Sequence, residues 1–305
     1  MSVASCIKMS VEFGPINVAV VPAAGDGTRL RPASLAVPKE MLPVLDDGVW
    51  KPVIQMVLEE LNASGIREAI VVTKPGKEAI AVHFTDPDGS IRNVGTGPTY
   101  IEELHFIDQL SGRYGNGVPL LSAEPFLQNE DHVLNIWGDE FFATSGDPRT
   151  KQMIDLFVQL GGNVGVISAV RIQNKRDLSL YGIADVTETA PGIYRINDMV
   201  EKPDPDKAPS NLAAHGSYLL PTDIVDVLRT QGAGKGGEIW LIDAIRTLIA
   251  GGYPIFACEI KGADYCDAGT VLNYFKTIVK RGLANPVHGQ ELRQFVASAL
   301  SNTGD

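Results

Sequence analysis

From residue 17 onward the chain alternates short β-branched runs with amphipathic stretches. NVAVVPAA (17–24) is apolar and closes on small residues before a glycine, the pattern of a buried strand entering a loop. In KPVIQMVLEELNASG (51–65), Val53, Ile54, Val57, Leu58 and Leu61 fall at helical spacing, and Gly65 stands where a helix stops. REAIVVTK (67–74) reads as a second buried strand. Strand, loop, helix and strand in succession predict a βαβ unit with parallel strands.

Farther on, HVLNIWGDEFF (132–142) predicts another central strand with Asp139 near its carboxyl end. An amphipathic helix at 151–162 and a strand at 163–172 follow. The period changes over YGIADVTETAPGIYRINDMVEKP (181–203), where alternation on both sides of a Pro-Gly pair predicts an antiparallel hairpin. Strands at 215–221 and 253–260 and helices at 222–230, 239–252 and 272–286 complete the body, with a short helix expected in the tail 290–305. The pattern predicts an α/β fold: a Rossmann-like, mostly parallel mixed sheet flanked by helices, with a small antiparallel β insert. The expected organisation is a flexible N-terminal extension over 1–16, one body over 17–286 and a helical tail over 287–305.

Composition narrows the function. The 305 residues are 44% hydrophobic and 21% charged, enough for a large core. A net charge of −11 argues against a nucleic-acid partner, which needs a basic face, but leaves room for a local cationic pocket around a small phosphorylated ligand. Cys6, Cys258 and Cys266 are odd in number and widely spaced without a CxxC, as in a reduced cytoplasmic chain. The first residues lack the apolar core of a signal peptide, and no run of about 18 apolar residues would span a membrane.

The first predicted strand runs into Gly25-Asp26-Gly27-Thr28-Arg29. Glycines let backbone N–H groups approach a phosphate, although a glycine loop after a strand can equally be a plain turn. It matches neither the Walker A pattern nor the dinucleotide GxGxxG. Arg29, Arg31 and Lys39 follow closely, with Pro32 and Pro38 stiffening the segment, so the stretch has the makings of a phosphate site.

GDGTRLRP followed by VPKEMLP resembles the signature of the sugar-1-phosphate nucleotidyltransferases, and PKEMLP in particular resembles the bacterial UTP–glucose-1-phosphate uridylyltransferases. GIREAIVVTKPGKEAIAVHF, YGIADV, VEKPDPDKAPSNLAAHGSYLL, GGEIWLIDAI and YCDAGTVLNY occur in the family's order, over roughly residues 17 to 282. The resemblance implies Mg²⁺-dependent transfer of a nucleotidyl group from a nucleoside triphosphate, UTP by first choice, to a sugar 1-phosphate, glucose 1-phosphate by first choice. Pyrophosphate would leave, and the enzyme would be a homodimer or homotetramer with no membrane or nucleic-acid partner.

It also implies residue roles. Ala23, Ala24, Gly25, Gly27 and Thr28 would lie along the nucleotide, with Gln109, Gly115 and Gly117 near the base. Arg29 and Lys39 would meet the phosphates, and Lys202 the phosphate of the sugar. Glu201 would accept bonds from sugar hydroxyls, and Gly182 and Gly216 would let the backbone approach the hexose. Asp139 and Asp267 would hold Mg²⁺. Taken singly, each has a plainer alternative: a solvated loop lysine at Lys39, a helix cap at Asp139, a turn residue at Asp267, and a surface ion pair at Glu201-Lys202. Glu140 is expected to face away from the site.

Two features depart from the family pattern. Val118-Pro119 stands where a base-reading loop usually ends in a His-Ala or Gln-Ala pair, which leaves another nucleotide, or a cyclitol phosphate as acceptor, open. DDGVWKP (46–52) is longer than the usual link, and Trp50 is expected to be a packing residue. His215 is expected to be a hydrogen-bonded structural histidine. A rival of another class is a non-catalytic sugar-nucleotide-binding paralogue, against which stands the presence of all the expected cations and both aspartates.

Overall fold

Two faces of alternating apolar residues organise the centre of the molecule, whose computed structural model describes residues 15–92 and 101–302. The extension expected over 1–16 lies outside these residues except for its last two. In β1 (Val18–Pro22), Ala19 and Val21 join one core cluster while Val18 and Val20 join the other, so the strand is buried on both sides. A hairpin of β2 (Pro43–Asp46) and β3 (Val49–Pro52) follows, turning through Asp47 at φ 44° and Gly48 at φ 83°. The extra Asp-Gly of the 46–52 stretch supplies the left-handed pair that a tight hairpin turn needs. Trp50, expected as a packing residue, sits on this hairpin 60% exposed.

Helix α1 (Val53–Ala63) buries Val53, Ile54, Val57, Leu58 and Leu61, the stripe its spacing predicts. It stops at Gly65, which takes φ +85° while the Ile66 N–H donates to the Leu61 carbonyl at 3.1 Å. The chain continues through β4 (Glu68–Thr73), α2 (Glu78–Phe84), β5 (Glu103–Asp108), α3 (Val118–Ser122), β6 (His132–Ile136), β7 (Glu140–Thr144) and α4 (Arg149–Gln159). Next come β8 (Gly165–Arg171), β9 (Gly182–Ala190), β10 (Ile193–Glu201), β11 (Leu212–Pro221), α5 (Ile224–Thr230) and α6 (Leu241–Ala250). The last elements are β12 (Ile255–Glu259), β13 (Ala263–Asp267), α7 (Val271–Ala284) and α8 (Gly289–Asn302).

Among the described residues nine strands form one sheet in the order β5-β4-β1-β6-β11-β8-β12-β10-β9. The pairs β5–β4, β4–β1 and β1–β6 are parallel, and β8–β12 is parallel as well. β11 runs antiparallel between β6 and β8. The hairpin expected at 181–203 is present as β9 and β10 and joins the sheet's edge, with β9 folding back to meet β11 at Ile183 and Ala213. No described helix is long and apolar enough to cross a membrane.

One expected strand is two. The stretch 132–142 leaves the sheet after Ile136, and β7 pairs instead with β13 in a separate two-stranded sheet. Gly138 permits the departure: its N–H donates to the Pro22 carbonyl at 3.2 Å, and a Cβ there would lie 3.2 Å from that same oxygen. Asp139 therefore sits in the turn at the mouth of β6 rather than within a strand.

Candidate active site

β1, β4, β5 and β6 are mutually parallel and end side by side, so the segments after Pro22, Thr73, Asp108 and Ile136 share one edge of the sheet. Ligand crevices in open α/β sheets form at such carboxyl ends. Ala23 and Ala24 are buried there, while Gly25, Thr28 and Arg29 are exposed. Gly27 takes φ +60° and its carbonyl accepts from Ser34 Oγ at 2.7 Å, which bends the loop into the short 3-10 turn Thr28–Leu30 carrying Arg29. A Cβ on Gly25 would stand 3.3 Å from Lys39 Nζ, so the lysine ammonium lies directly against the glycine backbone.

Lys39 Nζ donates to Asp139 Oδ2 at 2.6 Å. Burial acts to lower the lysine's pKa, but the charges of Asp139 and Glu40, with the hydrogen bond to Asp139, outweigh it and hold the group above the ordinary lysine value. The next residue, Glu40, is 1% exposed and receives Lys77 Nζ at 2.9 and 2.7 Å on its two oxygens. Lys77 also donates to the Ala23 carbonyl at 2.5 Å. Burial pushes the Glu40 carboxyl up and the Lys77 amine down, each opposed by the partner's charge. This buried pair ties the PKEM turn to Ala23, the residue that follows β1 and leads into the glycine loop. Neither residue is singled out from the sequence, although both lie in segments that carry the family resemblance.

Asp267 ends β13, and the Ala268 N–H donates to the Asp139 carbonyl at 3.0 Å. Gly269 N–H and Asn273 Nδ2 each donate to the Asp267 carboxylate at 2.5 Å. A Cβ on Gly269 would lie 2.9 Å from Asp267 Oδ1 and 3.5 Å from Asp139 Oδ2, so the two carboxylates converge around a glycine. Burial raises the Asp267 pKa against those two bonds. Two hard oxygen donors brought together, with lysine charge on one flank, suit a divalent cation whose remaining ligands are water and phosphate oxygens.

Glu140 does not face away. It is buried, accepts from Tyr265 Oη at 2.6 Å, and has Arg149 Nη1 at 3.4 Å. Arg149 is fully buried and holds Glu60 through two bonds of 3.0 Å. Burial pushes the Glu140 carboxyl up to about 8 despite Arg149 and Tyr265. Strand alternation failed to foresee this placement because the strand breaks before Asp139, which resets which face each residue takes. Gly216, at φ +51°, is where a Cβ would lie 1.7 Å from Glu140 Oε1. Room for Glu140 thus requires a glycine there, a contact that the expected hexose approach did not contain.

His215 is 2% exposed, its ring centroid 4.5 Å from that of Tyr181 and 4.2 Å from that of Tyr265. Neither ring nitrogen has a hydrogen-bond partner among the described residues, which corrects the expectation of a hydrogen-bonded histidine. Burial, and secondarily the Arg149 charge, pull its pKa down to about 3.

The sugar-side motifs meet across the β9–β10 ladder, where Glu201 pairs with Gly182. A Cβ on Gly182 would stand 3.2 Å from Glu201 Oε2 and 2.5 Å from Ile242 Cδ1. Lys202 adopts φ +46°, its N–H donating to the Tyr181 carbonyl at 3.0 Å. Its Nζ lies 3.1 Å from Glu201 Oε1 and 5.2 Å from the Trp240 ring centroid. Burial first, then the charges of Asp267 and Glu140, push the Tyr181 hydroxyl up to about 12. Tyr181 also packs against His215, and His215 against Tyr265 of the strand that ends at Asp267, so a chain of contacts links the sugar-side pair to the acidic pair.

On the opposite flank, the Gln109 N–H donates to the Thr73 carbonyl at 2.8 Å, which fixes this residue just past β5. Gly115, at φ +130°, and Gly117 close against Ile239: a Cβ on the former would lie 2.3 Å from the Ile239 carbonyl oxygen. Pro119 occupies the first turn of α3. Away from this cleft, Glu68, Glu103 and His105 gather at the starts of β4 and β5, with His105 Nε2 at 3.4 and 3.5 Å from the two glutamates.

A model of the nucleotidyl transferase family matches residues 18–281. The chain belongs to that family. It is 35% identical over 295 residues to the UTP–glucose-1-phosphate uridylyltransferase YngB of Bacillus subtilis, covering 93% of this chain and 96% of that protein. A crystal structure of UDP-glucose pyrophosphorylase complexed with UDP-glucose superposes with a TM-score of 0.75 at 30% identity, over 86% of this chain and 97% of the other. A UTP-bound UDP-glucose pyrophosphorylase (UGPase) from Acinetobacter baumannii gives 0.77 at 26% identity, over 92% and 99% of the two chains. The family match begins at the first residue of β1 and ends within α7, so it takes in the glycine loop, both aspartates and Glu201-Lys202.

Proposed function

We propose that this protein transfers a uridylyl group from UTP to α-glucose 1-phosphate, giving UDP-glucose and pyrophosphate. The observation that carries this is the meeting of Lys39 with Asp139, beside Asp267, linked through Tyr265, His215 and Tyr181 to Glu201 and Lys202. The sugar phosphate oxygen is already an anion and attacks the α-phosphorus in line with the departing pyrophosphate, so no general base is needed. Catalysis then comes from positioning and from charge. Arg29, on its exposed 3-10 turn, meets the triphosphate; Lys39, against the Gly25 backbone, meets it from the other flank. Lys202 holds the phosphate of the sugar, and Glu201 accepts from its hydroxyls. Asp139 and Asp267 would hold Mg²⁺, which when bound neutralises phosphate charge and orients the oxygens for displacement.

Uracil preference rests on Gln109 and on the 115–117 loop. The buried Val118-Pro119 at the start of α3 favours one second reading: the same transfer with another nucleoside triphosphate or with a cyclitol phosphate. The exposed apolar residues Leu272, Phe275 and Val279 of α7 and Phe295 and Leu300 of α8 support a homodimer or homotetramer. Free, buried Cys258 and Cys266 support a cytoplasmic enzyme.

Pyrophosphate release with a panel of nucleoside triphosphates and sugar 1-phosphates, with and without Mg²⁺, tests this. UTP with glucose 1-phosphate should give the highest kcat/KM, and chelation should abolish turnover. Binding of nucleotide by calorimetry without turnover of any pair would make the protein a non-catalytic binder.

A further inference from the structure

One short segment touches both subsites. On the nucleotide flank, the Ile239 N–H donates to the Tyr114 carbonyl at 2.7 Å and the Ile239 carbonyl accepts from the Gly117 N–H at 3.0 Å. The Leu241 N–H donates to Asn116 Oδ1 at 2.8 Å. Gly115 lies so close that no side chain fits between it and the Ile239 backbone. The next residue, Trp240, sets its ring 5.2 Å from Lys202 Nζ, and Ile242 Cδ1 fills the place of the side chain that Gly182 lacks. Residues 239–242 are therefore clamped by backbone bonds to the base-side loop while their side chains brace the sugar-side ladder.

We propose that Trp240 is a positioning residue for Lys202, and that the 239–242 segment couples the nucleotide side of the cleft to the sugar-phosphate side. The inference rests on the function proposed above. Lys202 is a half-exposed residue on a left-handed backbone, and an unrestrained lysine side chain loses considerable rotamer freedom when it meets a phosphate. Glu201 at 3.1 Å and the ring face of Trp240 hold the ammonium at the cleft before substrate arrives. An anion can then meet the ammonium from the side away from the ring, so the contact need not be given up on binding. Because the segment bearing the ring is hydrogen-bonded to 114–117, displacement of that loop by a base moves the floor beneath Lys202.

Steady-state kinetics on Trp240→Ala, Trp240→Phe and Asn116→Ala test the proposal. Trp240→Ala should raise KM for glucose 1-phosphate about three- to tenfold with kcat little changed, and Trp240→Phe should restore KM to within about twofold of wild type. An unchanged KM, or a lowered one as for a mere parking place, overturns the positioning role. Asn116→Ala should raise the same KM from the nucleotide side, and the double variant should lose less than the product of the single effects. Multiplicative effects overturn the coupling. UDP-glucose should change tryptophan emission in wild type with a component missing in Trp240→Phe; an identical change in both also counts against the proposal. Should Trp240→Ala fail to fold, the emission comparison and the Asn116 series decide. A wild-type enzyme without uridylyl transfer would instead refute the function itself.

Discussion

Lys39 and Asp139 are one hundred positions apart in the chain, and their Nζ and Oδ2 atoms are 2.6 Å apart. The pair joins the phosphate loop after β1 to the turn after β6, and it places a cation against an acid that has a second acid, Asp267, as its other neighbour. Lysine charge here serves two ends. It offsets the repulsion between the two carboxylates, and in the proposed reaction it would face phosphate oxygens of the nucleotide.

Lys39→Met should separate those roles. Turnover should fall about 10²- to 10³-fold, the scale seen when one preorganised charge is removed from a developing anion. Mg²⁺ should bind the substrate-free variant more tightly than wild type, since Asp139 loses its competing cation. Calorimetric titration of the metal beside steady-state rates checks both. A variant that keeps kcat, or that binds metal more weakly, would remove Lys39 from this assignment.

The buried Glu40–Lys77 pair should dominate the stability of the loop. Lys77→Met leaves the Glu40 carboxylate buried without its cation, which costs about 3–5 kcal/mol when one member of such a pair is removed. Glu40→Gln with Lys77→Met should recover part of the loss, because no lone charge remains. Urea unfolding of wild type, both singles and the double variant measures the coupling. Additive losses would mean that the two groups do not depend on each other.

Neither residue of that pair was singled out from the sequence, and the reason is physical. Asp139, Asp267, Glu201 and Lys202 lie in short motifs that carry the family resemblance, and it is the resemblance, not their local turn chemistry, that made them visible. Lys77 and Arg149 act across the fold, on Glu40 and on Glu60 with Glu140, at separations that no local pattern encodes. The parallel strands were legible from their β-branched runs, and α1 from its stripe. The break between β6 and β7 was not, because apolar residues continue through it and only Gly138, against the Pro22 carbonyl, turns the chain. That one misplacement also hid Glu140, whose direction depends on where the strand ends.

His215 gives a pH dependence with a definite sign. Its folded pKa, pulled down to about 3 mainly by burial, is below the ordinary histidine value of 6.5. The unfolded chain takes up a proton there that the folded chain refuses, so stability from this group is full above about pH 6.5 and drains as pH falls toward 3. Tyr181, Tyr265 and Arg149 surround the ring, and none of them offers it a carboxylate that would favour the charged form. His215→Gln, which cannot titrate, should lose less stability than wild type between pH 7 and pH 4.5. Denaturant unfolding at the two pH values compares them; equal losses would mean that another group governs the acid limb.

Gly216→Ala should be costly for two separable reasons. The backbone holds φ +51°, where an alanine is strained by about 1–2 kcal/mol, and its Cβ would lie 1.7 Å from Glu140 Oε1. Glu140 is held in place by Tyr265 and Arg149, so it cannot simply swing aside, and overpacking of this kind adds about 1–3 kcal/mol. Combining the substitution with Glu140→Ala removes the overlap and leaves the backbone strain. Arg149 keeps Glu60 as a partner in that background, so its charge is not orphaned. Thermal unfolding should therefore place Gly216→Ala well below Glu140→Ala, with the double variant nearer the latter. If adding Glu140→Ala brings no relief to Gly216→Ala, then strain alone sets the need for glycine, and Glu140 exerts no steric hold on β11.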